Sequence, residues 1–424
     1  MVKINPVSLI YIALALTTTA IADTGLFKGG HAKYFLLLNT YPDDSLYLDY
    51  VDSPSIDQYG DLRLKFDWQK DRLQIAADYQ MIAARGDSLE LSNKLPGFEL
   101  FSGKVISDQY RLLDLTHTIT ESSDSTVVQR LHRLFIGFTG KNTVVRIGRQ
   151  TLSWGNGLFY MPMDFFNPFE PAAIDKEYKS GDYMMYGQYL KQGGDDVQGV
   201  WVIRRNIDGD VTNKVDTIAL KYHGFFTDME YDLLIAEHFD DYVIGIGGLS
   251  DIGGALWRGD ILLNRTNNSL SPSETVLSLV TSLSYSWLGW GHNITGAVEY
   301  FYNGFGQADG DYSPDALAAN PELVERLLRG ELFTLGRNYV ALSATIEMNP
   351  LWLLTPNAFI NISDGSLLAQ LVTTYDLKQD LQVLAAINLP VGPAGTEYGG
   401  IDSGVAGKPL STGAGLFAQL AWYF

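Results

Sequence analysis

Hydrophobic and polar residues alternate with a period of two along much of this 424-residue chain. Between residues 61 and 68, charged residues alternate with leucine, phenylalanine and tryptophan, and a second alternating run extends from Leu73 to Met81 after a short polar turn. A period of two sends successive side chains to opposite faces of a β-strand, so this region predicts a hairpin with one apolar and one charged face. A soluble sandwich and a membrane barrel both produce this pattern, because the apolar face meets a protein core in the first and lipid in the second.

The alternation predicts 18 strands in all. They lie at residues 31–41, 59–69, 72–84, 127–139, 142–154, 182–191, 197–206, 215–224, 229–238, 241–249, 254–264, 274–287, 292–303, 336–348, 351–362, 366–375, 381–389 and 413–424. The count is even and eight short turns all fall at one end, as a barrel whose two termini share one end requires. Sixteen strands is the alternative, because the first segment and the segment 241–249 are weakly patterned.

The long connections all fall at the other end, at residues 85–126, 155–181, 304–335 and 390–412. Long loops of this kind usually carry function. In the third connection, Asn320, Pro321 and Gly330 predict a short helix, since they are the residue types favoured at the cap, at the first turn and just past the end. Three leucines of this helix share one face, which predicts packing on the other loops, with a plug or gate as the alternative.

The carboxyl-terminal strand favours the membrane barrel. Phe424, Trp422 and Leu420 fall on one face of this strand, and Tyr423 and Gln419 fall on the other. A half-apolar strand that ends in an aromatic residue resembles the assembly signal of Gram-negative outer-membrane β-barrels. The resemblance implies an all-β, transmembrane antiparallel barrel in contact with outer-membrane lipid and lipopolysaccharide, and recognition of Phe424 by the barrel-assembly machinery.

The amino-terminal residues agree with export. Lys3, an apolar run over residues 7–16 and small residues before Asp23 predict a secretory signal peptide over residues 1–22. We therefore expect residues 23–424 to form a single outer-membrane β-barrel domain, delivered to the cell outer membrane after cleavage of the signal peptide.

Composition and charge narrow the chemistry. Aromatic residues make up 12% of the chain, charged residues 19%, and 42 residues are glycine, which suits a barrel with aromatic girdles and glycine-rich turns. The formal net charge of -19 argues against a nucleic-acid partner. The absence of cysteine excludes disulfides and thiolate chemistry, and the six histidines lack the spacing of a zinc motif, so no metal, no other cofactor and no enzymatic activity is predicted.

The most distinctive segment runs Gly-Arg-Gln-Thr-Leu-Ser-Trp-Gly-Asn-Gly over residues 148–157. Gly-Arg-Gln followed by Trp-Gly resembles uncharacterised proteobacterial outer-membrane barrels, and a related Gly-Arg-Gln resembles the alginate-export porins. The resemblance implies a channel with a charged lumen, whereas the net acidity disfavours an anionic polysaccharide as solute. Arg149 is expected to anchor the loop 155–181 through a loop carbonyl or a carboxylate such as Asp164, Glu170 or Asp175, and the alternative places it in a constriction facing solute.

Charged residues on the polar faces are the candidates for the lumen wall or for loop anchoring. They are Arg63, Lys65, Arg133, Arg146, Arg149, Arg204, Lys221, Arg258, Asp61, Asp78, Glu230, Asp232 and Glu299. Mixed signs on neighbouring strands favour cross-strand pairs, and opposed basic and acidic arcs are the alternative. An aromatic group in the loop, Phe159, Tyr160, Phe165, Phe166 and Phe169, is expected to form loop core, with a solute platform as the alternative.

These features predict a channel for passive diffusion of small polar or organic solutes through a polar lumen narrowed by inward-folded loops. A structural or partner-docking barrel of an envelope complex and a barrel enzyme with its site at the rim are the alternatives. The acidic excess predicts a mild cation preference at low salt, unless basic residues cluster at the constriction and favour carboxylated solutes. The sequence does not indicate an oligomeric state.

Overall fold

The computed structural model describes residues 25–95, 108–267 and 272–424, so the predicted signal peptide lies outside the described residues. It contains the following strands: β1 (Phe27–Asn39), β2 (Ser55–Lys70), β3 (Leu73–Gly86), β4 (Thr116–Glu121), β5 (Ser125–Thr139), β6 (Thr143–Gln150), β7 (Asp182–Leu190), β8 (Asp196–Val202), β9 (Thr217–Phe226), β10 (Met229–His238), β11 (Asp241–Ile252), β12 (Ala255–Arg265), β13 (Thr275–Gly289), β14 (His292–Asn303), β15 (Asn338–Asn349), β16 (Trp352–Asn361), β17 (Ser366–Lys378), β18 (Leu381–Val391) and β19 (Gly415–Tyr423).

The strands form one closed antiparallel barrel. β1 pairs with both β2 and β19, so the sheet closes on itself. β4 is not counted as a ring strand, because β3 pairs directly with β5 and β4 adds only to the part of β5 between Thr126 and Arg130. Of the 19 described strands, 18 therefore form the ring, and each corresponds to one predicted segment. The alternative of 16 strands is wrong, since β1 and β11 are regular strands of 13 and 12 residues.

The alternation sorts side chains between the two faces of the wall. Large apolar residues are exposed on the outer face, for example Ile136 at 56%, Ile218 at 57% and Ile244 at 62%. Residues of the opposite parity face the inside, where Arg63 and Glu299 are buried. The apolar face of the predicted hairpins thus forms the outer surface of a barrel and not the core of a sandwich.

The two ends of the barrel differ in their connections. At the end that we call the turn end, eight connections of two to five residues join the strands, and the tightest include Gly253 and Gly254, both with positive φ. At the opposite end, which we call the loop end, lie nine connections. They are residues 40–54, 87–124, 151–181, 203–216, 239–240, 266–274, 304–337, 362–365 and 392–414. The predicted placement of short turns and long loops is confirmed.

Helices occur in the loop-end connections: α1 (Asp87–Lys94), α2 (Pro314–Ala318) and α3 (Pro321–Arg329), with 3-10 turns at Leu46–Asp49 and Asn213–Val215. The predicted helix is α3. The Asn320 side chain accepts from the Leu323 N–H, and Gly330 has the left-handed φ of 67° that ends the helix. Leu323 is buried and Leu327 packs on the neighbouring loop cluster, but Leu328 is exposed, so the expected three-leucine face is wrong at Leu328.

Within the described residues, no helix has the length and apolar character needed to cross a membrane.

The seam between β1 and β19 depends on glycine. The Gly30 N–H donates to the Phe424 carbonyl oxygen at 2.7 Å, and the Phe424 N–H donates back to the Gly30 oxygen at 3.2 Å. A Cβ at Gly30 would lie 2.0 Å from the backbone oxygen of Arg63 on β2, so only glycine fits between the flanking strands. The Phe424 ring stacks on Phe27 with 6.3 Å between ring centroids. The last residue of the chain is therefore built into the closure of the ring.

Candidate functional site

Residues 151–181, which we call the lumen loop, leave the wall after β6 and return to it at β7. Four of its side chains, Trp154, Met163, Phe165 and Phe166, are buried inside the barrel. They pack against inward-facing residues of β7 to β12, which are Met184, Tyr186, Val200, Val202, Ala219, Leu234, Val243 and Leu262. Burial of this apolar surface holds the loop within the lumen.

Carboxylates on three alternate strands bind the loop backbone. Asp260 on β12 accepts from the backbone N–H and the side-chain amide of Asn156, both at 2.7 Å, and Asp232 on β10 accepts from the same amide at 3.3 Å. Glu299 on β14 accepts from the N–H groups of residues 158, 159 and 160 at 2.5, 2.8 and 2.8 Å. Hydrogen bonds to an ionised carboxylate are stronger than neutral ones, so these buried acids anchor the loop tip.

The aromatic residues of the loop pack mainly against the wall. Tyr160 stacks on Phe301 of β14 with 4.8 Å between ring centroids, and Phe159 meets Phe359 of β16 edge-on at 5.5 Å. Tyr160, Phe165 and Phe166 are buried, as expected for loop core. Phe159 and Phe169 are only partly buried, and together with Tyr160 they border a small cleft that faces residues 331–334 of another loop-end connection.

The final part of the lumen loop lies on a cluster of cations. The Lys33 amino group on β1 contacts the carboxylates of Asp175 and Glu177 at 2.6 Å each. The ring of Tyr178 lies over Arg63 of β2, with 3.9 Å from the guanidinium carbon to the ring centroid, and its centroid is 4.8 Å from the Lys65 amino group. This segment therefore covers the basic side of the lumen wall.

Arg149 is fully buried and binds a different loop from the one predicted. Its guanidinium donates to both oxygens of Asp108, at 2.6 and 2.9 Å, and Asp108 belongs to the connection 87–124. Burial alone would raise the pKa of Asp108, but hydrogen bonding and charge from Arg149 and Arg111 outweigh it and hold that pKa at about 2. Of the expected partners, Asp164 pairs instead with Lys179 inside the lumen loop.

This ion pair lies where the wall of the barrel is incomplete. β6 ends and β7 begins opposite each other, because the lumen loop departs and returns there. Residues 108–121 fill the space between β5 and the chain that follows β8: β4 pairs with β5, and Arg111 forms a bridge with Arg204. Asp182 accepts from both arginines, at 3.3 and 3.2 Å. Arg149 thus fixes the segment that completes the wall.

Most predicted lumen residues lie on the inner face, in two groups. Arg63, Lys65, Arg133 and Arg146 lie on β2, β5 and β6, whereas Asp232, Asp260 and Glu299 lie on β10, β12 and β14, with Lys221 on the adjacent β9 and Arg258 on β12 beside Asp260. Cross-strand pairs also occur, between Asp78 and Arg133 at 3.6 Å and between Lys221 and Asp232 at 3.1 Å. The wall therefore combines both predicted arrangements.

The remaining candidates depart from the predicted positions or lie at the edges of these groups. Arg204 is not on a lumen strand, because β8 ends at Val202, and it binds Asp182 and Thr217 at the loop end. Glu230 lies beside His223 near the turn end, with 3.7 Å between the carboxylate and the ring nitrogen. Asp61 lies on β2 next to His31 and accepts from Gln80.

Lys33, Asp108, Tyr178 and Lys179 take part in the site but were not predicted. Asp108 and Arg149 are 41 residues apart and lie on different connections. Lys33 lies on β1, where the sequence pattern is weak. The available signal was limited to their residue types, since burial of a loop against a distant strand leaves no local periodicity.

No family model matches the chain, and no curated protein matches it. Solved structures do match over nearly the whole length. OccAB3 of Acinetobacter baumannii is 10% identical, with 95% of this chain and 100% of that chain covered and a TM-score of 0.51. A BenF-like porin from Pseudomonas fluorescens Pf-5 is 9% identical, with 94% and 98% covered and a TM-score of 0.52. OpdL of Pseudomonas aeruginosa is 10% identical, with 93% and 98% covered and a TM-score of 0.50.

At this level of identity the likeness concerns the fold, and it does not test the resemblance of residues 148–157 to the alginate-export porins. The chain therefore has the fold of an 18-stranded porin-type β-barrel with a long loop packed inside its lumen.

Proposed function

We propose that this protein is an outer-membrane, porin-like channel for passive diffusion of small polar or organic solutes. The observation that carries the proposal is the contrast between the two faces of the closed wall. The outer face exposes large apolar residues, whereas the inner face near the turn end carries serine, threonine, glutamine and charged residues. Contact with lipid requires an apolar outer face, and a water-filled lumen requires a polar inner face.

Two arginines that stay partly exposed inside the barrel favour anionic solutes. Asp232, Asp260 and Glu299 are buried, and all three are held in contacts with the lumen loop. By contrast, Arg133 and Arg146 are only partly buried, and Arg146 has no salt bridge among the described residues. The placement therefore supports the carboxylated-solute alternative over the mild cation preference expected from net charge.

Bilayer recordings test this function. The purified protein should conduct, and the reversal potential in a KCl gradient should show anion preference at low salt that fades near 1 M, where the Debye length is about 3 Å. The R133Q/R146Q variant should lose this preference, whereas R72Q, which alters an exposed arginine in a turn, should retain it. Clear cation preference would contradict the solute preference, and absence of conductance would contradict the channel.

Residence in the outer membrane, with lipopolysaccharide around the wall, belongs to the same proposal. We expect heat-modifiable migration on gels and recovery in the outer-membrane fraction, because the closed sheet pairs its backbone groups within the wall. Deletion of Phe424 should reduce insertion if the assembly machinery recognises this residue. Recovery as a soluble periplasmic protein would contradict the proposed location.

A structural or partner-docking barrel is the second candidate, and the packing of the lumen loop favours it. Trp154, Met163 and Phe166 form an apolar core within the lumen, which fills space that a solute would otherwise cross. A protein that inserts and stays heat-modifiable but shows no conductance would support this second candidate.

A further inference from the structure

The last turn of the lumen loop, residues 175–178, makes contacts that differ from those of the loop tip. The tip is held by buried carboxylates of the wall that bind loop N–H groups, whereas residues 175–178 present their own carboxylates and a ring to cations of the wall. We call residues 175–178 the strap. The strap combines two carboxylates, Asp175 and Glu177, with one phenol ring, Tyr178, within four residues.

The cations beneath the strap form a preformed anion-binding surface. Lys33 and Arg63 are 4% and 1% exposed, yet Asp175 and Glu177 keep about a third of their side-chain surface exposed. The Arg63 Nε is buried and has no hydrogen-bond partner among the residues that the structure describes. A second guanidinium nitrogen of Arg63 contacts the His132 ring at 2.9 Å. The strap thus shields these cations without satisfying all of their donors.

We propose that the strap is a displaceable internal ligand: it occupies a cation site formed by Lys33, Arg63 and Lys65, and organic anions that enter the lumen compete with it for that site. The contacts of the strap are those that a carboxylate next to an aromatic ring would make, with the carboxylate on Lys33 and the ring over Arg63. Ligand and strap therefore exclude each other. This inference rests on the proposed channel function, since the site becomes accessible from the lumen.

Partial exposure of the strap carboxylates is what makes displacement feasible. An ion pair whose acid is solvated is worth less than one that is buried on both sides, because water screens the charge. Lys179, the residue that follows the strap, differs in this respect: both its side chain and that of its partner Asp164 are nearly fully buried. The loop is therefore fixed at Lys179 and can release residues 175–178 without leaving the lumen.

Calorimetry on the full-length, detergent-solubilised protein tests the inference with phenylacetate as the probe. The D175N/E177Q variant removes the charges of the strap and keeps its size. The control variant D376N/E347Q removes two carboxylates that form no salt bridge among the described residues. Phenylacetate should bind D175N/E177Q at least twofold to tenfold more tightly than the wild-type protein, the range for losing one competing hydrogen-bonded contact, since Asp175 and Glu177 both contact Lys33. The control should match the wild type.

The K33Q change in the D175N/E177Q background should abolish the gain in phenylacetate affinity. That result would show that phenylacetate occupies the site left by the strap. Heat-modifiable migration verifies that each variant is folded. Equal affinity in D175N/E177Q and its control, or no binding by any variant, would overturn the inference. Conductance is measured separately: a gain in affinity without conductance in any variant would refute the channel while leaving the strap as a ligand-competing segment.

Discussion

Replacing Glu299 by glutamine tests how the lumen loop is held. The carboxylate accepts three consecutive backbone N–H groups, from residues 158 to 160, and it is fully buried. Glutamine keeps one carbonyl oxygen for the N–H groups of Phe159 and Tyr160, but it turns an amide NH2 group towards the N–H of Leu158. Three charge-assisted bonds become two neutral ones, and one donor is left facing another donor.

The size of the effect follows from these contacts. A hydrogen bond to a charged group is worth about 1.5–3 kcal/mol and a neutral one about 0.5–1.5 kcal/mol, so replacing three charged bonds by two neutral ones at the low end of these ranges gives a loss of about 3.5 kcal/mol. Because each 1.4 kcal/mol changes an equilibrium about tenfold, local opening of the loop tip should increase by about two to three orders of magnitude. The hydrogen-bonded wall of the barrel is unchanged, so global unfolding should move little.

Hydrogen exchange measured by mass spectrometry reports the local opening of the loop tip at the amides of residues 158–160. We expect faster exchange there in E299Q and noisier single-channel currents. The matched control is E230Q, because Glu230 also lies inside the wall but accepts no backbone N–H from the residues that the structure describes. Unchanged exchange at residues 158–160 would refute the assignment of Glu299 as the anchor, and loss of the heat-modifiable form would assign it to the barrel itself.

Three further predictions concern other parts of the chain. Gly30→Ala should prevent closure of the ring and abolish heat-modifiable migration, because the added Cβ would clash with the Arg63 backbone oxygen. Gly60→Ala is the control and should be tolerated, since its Cβ meets open space. Normal assembly of the Gly30 variant would contradict the steric argument. Arg149→Ala should destabilise the protein by about 3 kcal/mol, because the buried Asp108 carboxylate loses two charge-assisted hydrogen bonds of at least about 1.5 kcal/mol each while it keeps Arg111 as a partner, and calorimetric unfolding that matches wild type would discard this role. Burial raises the pKa of Glu397, in the connection 392–414, to about 7. The protonated carboxyl therefore stabilises this connection fully below the ordinary carboxyl pKa, and this stabilisation is lost as the pH rises through about 7. Proteolysis of the connection should be faster at high pH, and E397Q should remove this pH dependence.

The wall of the barrel was predictable because each strand must satisfy the same local rule. Period-two alternation places every ring strand, including the weakly patterned β11, where glycines and isoleucines alternate. β4 was missed because Thr116–Glu121 is mostly polar and pairs along one side only. The strand predicted at 142–154 ends early at Gln150, since the chain turns into the lumen there, and alternation carries no information about that departure.

The site was predictable only in part. Alternation shows that Glu299 and Asp232 face inwards, but it does not show what occupies the space they face. The partner of Arg149 was assigned to the loop that follows it directly, whereas the structure pairs it with Asp108 from the preceding connection. Contacts between separate loops depend on how each loop folds within the barrel, and charge and spacing along one segment do not determine that fold.

Glu177 connects the two edges where the barrel closes. Its carboxylate contacts Lys33 on β1 at 2.6 Å and accepts from the Tyr423 hydroxyl on β19 at 2.9 Å. These two strands are at opposite ends of the chain and become neighbours only when the ring is complete. The lumen loop therefore receives its full set of contacts only after β1 has met β19. Both contacts of Glu177 thus depend on the closed cylinder, and a ring left open at this seam would lose them together.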